Sequence, residues 1–195
     1  MTRIALVRPG STDFDRQGRI TGTLDIPLDE EGLQQAALVA EALSGEAVEA
    51  VYCSPCEAAQ ETAAFVGKAH GLKPKTVEKL RNLDLGLWQG MLTDDVKRKH
   101  PKVFRQWQEH PQSVCPPEGE MIYDALARIE AVLAKLLKKY KDKEGLIVLV
   151  VPKPLVTLLQ CHFDAAELSD LWKVEQPCGS WTIIDVPTVV AAGGR

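Results

Sequence analysis

Ile4-Ala5-Leu6-Val7-Arg8-Pro9-Gly10-Ser11-Thr12 reads as a buried strand that empties into a turn-rich loop. Open α/β sheets place their ligands just beyond the carboxyl ends of their strands, so this loop is the first place to look for a site. Working outward, Ala50 to Cys53 is a second short apolar run, and Leu146 to Val151 is the most apolar of all and should be the central strand. Trp181-Thr182-Ile183-Ile184 reads as a last strand. Helical spacing fills the gaps. Leu33, Ala36, Ala37, Ala40 and Leu43 mark a helix from about Glu31 to Leu43. Ser54-Pro55-Cys56-Glu57 predicts a helix start, with Ser54 as cap, Pro55 at the first helical position and Glu57 closing a capping box. That helix should stop at Gly71. Thr93-Asp94-Asp95 opens another, with acids set against the helix dipole, and Pro101 and Pro111 interrupt the stretch that follows. Ile122, Ala125, Leu126, Ile129, Val132, Leu133 and Leu136 give a long stripe from Met121 to Leu137, and a further helix follows from about Leu155. Strands alternating with helices predict an α/β protein: a three-layer α/β/α domain with a central, mostly parallel sheet.

The 195 residues are most simply one domain, 1–187, with a flexible tail over 188–195. A chain of this size buries roughly 70% of its unfolded surface. The net charge of −4 offers no attraction to nucleic acid or an anionic membrane. No apolar run approaches the ~20 residues that span a bilayer, and Met1-Thr2-Arg3 runs straight into the first strand without a secretory leader. Cys count 5 is odd, which argues against a full disulfide framework and for a reducing, cytoplasmic setting.

Further segments stand in an ordered series. Leu24-Asp25-Ile26-Pro27-Leu28-Asp29 precedes Glu31-Gly32-Leu33-Gln34-Gln35-Ala36; Tyr52-Cys53-Ser54-Pro55 precedes Glu61-Thr62-Ala63. Leu80-Arg81-Asn82-Leu83-Asp84-Leu85-Gly86-Leu87-Trp88-Gln89-Gly90 follows, then Pro116-Pro117-Glu118-Gly119-Glu120 and Val150-Val151-Pro152-Lys153-Pro154. Together with Arg8-Pro9-Gly10 this series resembles the signatures of the histidine phosphatase superfamily, the phosphoglycerate mutase-like proteins. The resemblance runs from Ile4 to about Val186 and implies the phosphoglycerate mutase-like fold. The family activity it implies is phosphomonoester hydrolysis or mutase-type phosphoryl transfer.

The resemblance also marks where this chain departs. The family's first histidine, which takes up the phosphoryl group, falls on Pro9. Its second arginine falls on Ala58, its acid on Asn82, its second histidine on Lys153, and the next glycine on Pro154. An asparagine that often touches the phosphate falls on Asp15. Arg8 and Gly10 are kept. Proline supplies no nucleophile, and an asparagine amide cannot serve as the proton donor that a leaving oxygen needs. Losing one member of a coupled catalytic set costs on the order of 10⁴- to 10⁶-fold. No catalytic residue is therefore expected. The resemblance leaves a remnant anion-binding pocket of Arg8, Gly10, Asp15, Ala58, Asn82 and Lys153, in which Arg8 either pairs with an acid such as Asp15 or Asp84 or holds an anion.

The expected function is a catalytically inactive binding or regulatory pseudoenzyme. The first rival is a phosphatase or mutase with residual or relocated chemistry. The second is a thiol- or metal-dependent function through the Cys53-x-x-Cys56 pair, although such thiols more commonly pack as small apolar residues. Lys135, Lys138, Lys139, Lys141 and Lys143 end a helix and read as a solvated, dipole-complementing cluster. His70, His100, His110 and His162 lie outside the matched segments. No cofactor and no metal is expected. The expected partner is a small anion or a protein, with no nucleic acid and no membrane.

Overall fold

A computed structural model of the chain describes residues 2–164, 168, 171–173 and 175–186. The five strands are β1 (Thr2–Val7), β2 (Val48–Cys53), β3 (Lys75–Thr76), β4 (Leu146–Val150) and β5 (Trp181–Val186). They form one sheet in the order β3-β2-β4-β1-β5. β1 and β2 flank β4 in parallel, β3 joins β2 in parallel, and β5 closes the other edge antiparallel to β1. The most apolar run, Leu146–Val150, is fully buried at the centre, as its composition predicts.

Side chains alternate across a strand, so each apolar run feeds two cores. Ala5, Val7, Val51, Cys53, Val148 and Val150 cluster with Val39 and Ala40 of α2 (Glu30–Ala42) and Ala59, Ala63 and Val66 of α3 (Glu57–Ala69). Ile4, Leu6, Tyr52, Ile147 and Leu149 cluster with Ile129, Leu133 and Leu136 of α6 (Ile122–Tyr140) and with Leu155, Leu158 and Leu159 of α7 (Lys153–Asp164). Helices therefore cover both faces, and the chain is a three-layer α/β/α protein. Among the described residues there are also three shorter α-helices, α1 (Asp13–Gln17), α4 (Thr93–Lys99) and α5 (Pro101–Glu109).

The expected capping box at Ser54 does not form. The Ser54 N–H donates to the Val150 carbonyl at 2.9 Å, which prolongs the sheet ladder and takes the donor the capping box would use, and the chain stays extended as far as Cys56 (φ −66°, ψ 145°). α3 instead starts at Glu57, whose N–H is met by the Asp25 Oδ1 at 2.6 Å. A carboxylate from a distant loop thus replaces the local cap. The helix expected from about Leu155 starts at Lys153. The tail expected over 188–195 lies outside the described residues. Among the described residues, no helix is long and apolar enough to cross a membrane.

Candidate functional site

Three neighbouring parallel strands, β2, β4 and β1, end on the same side of the sheet. The loops that leave them carry Arg8-Pro9-Gly10, the start of α3 with Ala58, and Pro152-Lys153-Pro154. These loops converge on a cavity of about 400 Å³. Arg8, Pro9, Gly10, Asp15, Ala58, Asn82, Lys153 and Pro154 all line it. The fold therefore brings every residue of the predicted pocket together.

The first loop is fixed by close backbone packing. A Cβ on Gly10 would fall into the Gly32 carbonyl of α2, so glycine is required there by space. The Gly10 N–H donates to Thr62 Oγ1 at 3.2 Å, and the Ser11 N–H to Gln35 Oε1 at 2.8 Å. On the other side the Arg8 N–H donates to the Ser180 carbonyl at 2.9 Å, and the Pro9 carbonyl accepts from Gly179 at 3.0 Å.

Arg8 is the retained guanidinium, and its partners are internal. Its Nη2 donates to Asp15 Oδ1 at 2.6 Å, and its Nη1 donates to the Gln176 carbonyl. Asp15 sits in a capping box on α1, where Thr12 donates to Oδ2 from its N–H at 3.0 Å and from its hydroxyl at 2.7 Å. Both carboxylate oxygens of Asp15 are thus engaged. Of the two expectations for Arg8, pairing with Asp15 is what the structure shows.

Ala58 packs with Leu28, Ala36 and Phe65. Asn82 is buried and works as a brace: its Nδ2 donates to the Gly22 carbonyl at 2.8 Å, and its Oδ1 accepts the Leu83 N–H at 2.8 Å. Lys153 opens α7, and Glu175 and Asp15 act on its amine as nearby acids. Burial, and then the nearby Arg8 charge, lower its pKa from the ordinary lysine range. Arg19 also lines the cavity, with Nη1 on the Gly90 carbonyl and Nε on Gln17 Oε1, both at 2.7 Å.

Sequence reasoning missed the aromatic wall. Phe104 and Trp107 of α5 reach the cavity, together with Trp172. The i, i+3 spacing of Phe104 and Trp107 on one helix face was the available signal. It also missed Cys178, whose thiol is pushed up to about 11 by burial, with Asp15 and Asp29 adding to the effect and Arg8 opposing it. Cys56 lines the cavity as well. Burial pushes the Cys53 and Cys56 thiols up, away from the thiolate that redox or metal chemistry uses. None of the described histidines lines the cavity.

With this geometry in place, comparison with known proteins gives a consistent answer. The model of the histidine phosphatase superfamily (branch 1) matches residues 4–188. The chain belongs to that superfamily. Phosphoserine phosphatase 1 of Hydrogenobacter thermophilus is 29% identical over 184 residues, covering 94% of this chain and 86% of that protein. The bifunctional protein Rv2228c of Mycobacterium tuberculosis is 31% identical over 84% of this chain, and this chain spans 45% of its length. Among solved structures, mycobacterial glucosyl-3-phosphoglycerate phosphatase in complex with VO3 superposes with a TM-score of 0.87 at 26% identity, covering 95% of this chain and 93% of that one. This member of the superfamily therefore shares its frame with those solved structures.

Proposed function

We propose that this chain is a catalytically silent histidine phosphatase relative that acts as a binding or regulatory protein through the cavity around Arg8 and Lys153. One observation carries the reading. The positions that the sequence resemblance assigns to nucleophile, clamp, acid and second histidine are Pro9, Ala58, Asn82 and Lys153, and all of them line a single cavity in an intact frame. Phosphoryl transfer through histidine needs an imidazole aimed in line at phosphorus and an acid for the leaving oxygen. Among the described residues the cavity holds no histidine, and its single carboxylate, Asp15, is held by Arg8 and Thr12. Asn82 is spent on the Gly22 carbonyl. A cytoplasmic setting belongs to the same reading and is supported by the odd cysteine count.

The test is hydrolysis of p-nitrophenyl phosphate, phosphoserine and phosphoglycerates from acidic to neutral pH, with Arg8→Ala and Lys153→Ala beside the natural protein. We expect no turnover that depends on either residue. Turnover abolished by either change would overturn the reading.

A second reading is favoured by the relatives themselves. Their printed activities are phosphatases, and Arg8 and Gly10 are retained here, so an enzyme acting on a phosphomonoester such as phosphoserine is the alternative. Relocated chemistry would need a new nucleophile, and the Cys56 thiol is the candidate in the cavity. Burial raises its pKa, which works against that role. A metal or redox role for Cys53 and Cys56 meets the same obstacle. Stoichiometric zinc in the purified protein, lost in Cys53→Ser/Cys56→Ser, would favour it.

A further inference from the structure

We propose that Lys153 is a nucleophilic amine that captures a small apolar aldehyde in the cavity as a reversible imine. The inference goes beyond the silent-cavity reading and shares only the cavity with it. Lys153 is the first residue of the twelve-residue α7 and lines the space of about 400 Å³, a volume that admits a small organic molecule. The first turn of a helix favours anions over cations, so this is a poor place for an ammonium. Arg8 lines the same cavity and adds a second cation.

Removal from water and a neighbouring cation are the two conditions that turn a lysine into a nucleophile. Both hold here. Burial is the larger cause that lowers the Lys153 pKa, and the Arg8 charge is the second. Glu175, Cys178 and Asp15 act on the amine in the opposite sense and do not reverse the direction. Asp15 is also engaged by Arg8 and Thr12 through both of its oxygens. The free amine is therefore more populated at neutral pH than on an exposed lysine.

The step itself is redox-neutral and needs no further reactant. The amine nitrogen adds to the aldehyde carbon, and the adduct then loses water. A C=N bond forms, the C=O bond breaks, and the carbonyl oxygen leaves as water with the two amine protons. Protonation of the imine nitrogen gives a cation, and Asp15 and Glu175 are the acids that act at that position and stabilise it. The apolar body follows from the rest of the lining, where Leu24, Ile26, Phe104, Trp107 and Trp172 reach the cavity. Such walls exclude the water that would reverse the imine.

The experiment treats the full chain with benzaldehyde and sodium cyanoborohydride, which reduces an imine to a stable secondary amine. Peptide mass spectrometry then reads each lysine separately. At neutral pH, Lys153 should be labelled about tenfold faster than the exposed Lys135 and Lys138 of α6. That advantage should shrink as pH rises toward the ordinary lysine value of about 10.4, where exposed amines lose their protons as well. Arg8→Gln should reduce the advantage, because it removes a cation and frees Asp15. Lys153→Arg should leave only the labelling of exposed lysines. Thermal unfolding of each variant confirms that it is folded. Labelling of Lys153 no faster than that of Lys135 and Lys138 in the natural protein, or an advantage that does not change with pH, would overturn the proposal. Phosphatase turnover bears on the silent-enzyme reading alone, since the labelling uses no phosphate ester.

Discussion

The Arg8 guanidinium and the Asp15 carboxylate hold each other at 2.6 Å inside the candidate cavity, with the arginine side chain 15% exposed and the carboxylate 31%. The contact links the loop after β1 to the first turn of α1. It also takes up the charge that a phosphate would otherwise meet. Asp15 is fixed in turn by Thr12, so the pair is held from both ends.

Asp15→Ala should therefore act in two directions. Release of Arg8 should raise the affinity for inorganic phosphate about tenfold, since a charge-assisted contact becomes available. Loss of the capping box and of a partly exposed ion pair should lower stability by about 1 to 2 kcal/mol. Calorimetric titration and urea unfolding measure the two effects. Unchanged phosphate affinity would show that Arg8 does not face the ligand space.

Restoring lost residues singly should not restore chemistry. Pro9→His returns an imidazole without clamp, acid or second histidine, and catalytic members act as a unit. Ala58→Arg meets a packed site with Leu28 and Ala36, at a cost of about 1 to 3 kcal/mol. The combination Pro9→His, Ala58→Arg, Asn82→Glu, Lys153→His and Pro154→Gly is the smallest set expected to give detectable phosphatase turnover. An active Pro9→His single variant with a phosphohistidine intermediate would contradict this.

Asn82 should prove structural. Asn82→Ala leaves the Gly22 carbonyl and the Leu83 N–H without their buried partner and should cost about 1 to 3 kcal/mol. Asn82→Asp keeps an acceptor for Leu83 and places an oxygen against the Gly22 carbonyl, so it should be destabilising near neutral pH and less so in acid. Denaturant unfolding at two pH values distinguishes this from a role in ligand contact alone.

Cys178 should resist alkylation until strongly alkaline pH, with a midpoint near the thiol value of about 11, while the exposed Cys115 reacts first. Because the folded thiol holds its proton more tightly than the ordinary value of 9.0, the stability it contributes is complete below that value. That stability is lost as pH rises from there through about 11. Cys178→Ala should reduce the loss of stability over that window. Mass-resolved iodoacetamide labelling against pH, with unfolding curves at each pH, gives both readouts; early Cys178 labelling at neutral pH would refute the burial account.

Much of this protein was legible one residue at a time. Ile4–Val7, Ala50–Cys53 and Leu146–Val151 announce strands through unbroken apolar runs, and the stripe from Ile122 to Leu136 announces α6 through its period. These are local patterns, and burial on a sheet or helix face converts them directly into structure. Pro9, Ala58, Asn82 and Lys153, the residues at positions to which the resemblance assigns the family's chemistry, were also legible, because identity alone fixes what a side chain cannot do. Local reasoning failed at Ser54, where the sheet hydrogen bond to Val150 and the distant carboxylate of Asp25 decided where α3 begins. It could not choose between the partners of Arg8, nor foresee that Trp172 and Cys178 approach the same region as Pro9. The Arg8–Asp15 pair depends on how the loop after β1 turns into α1, while the approach of Trp172, Gln176 and Cys178 depends on segments more than a hundred residues apart in sequence meeting beyond the ends of β1 and β4. The aromatic wall and the far partner of Arg8 are properties of that meeting, so the tertiary structure alone decided them.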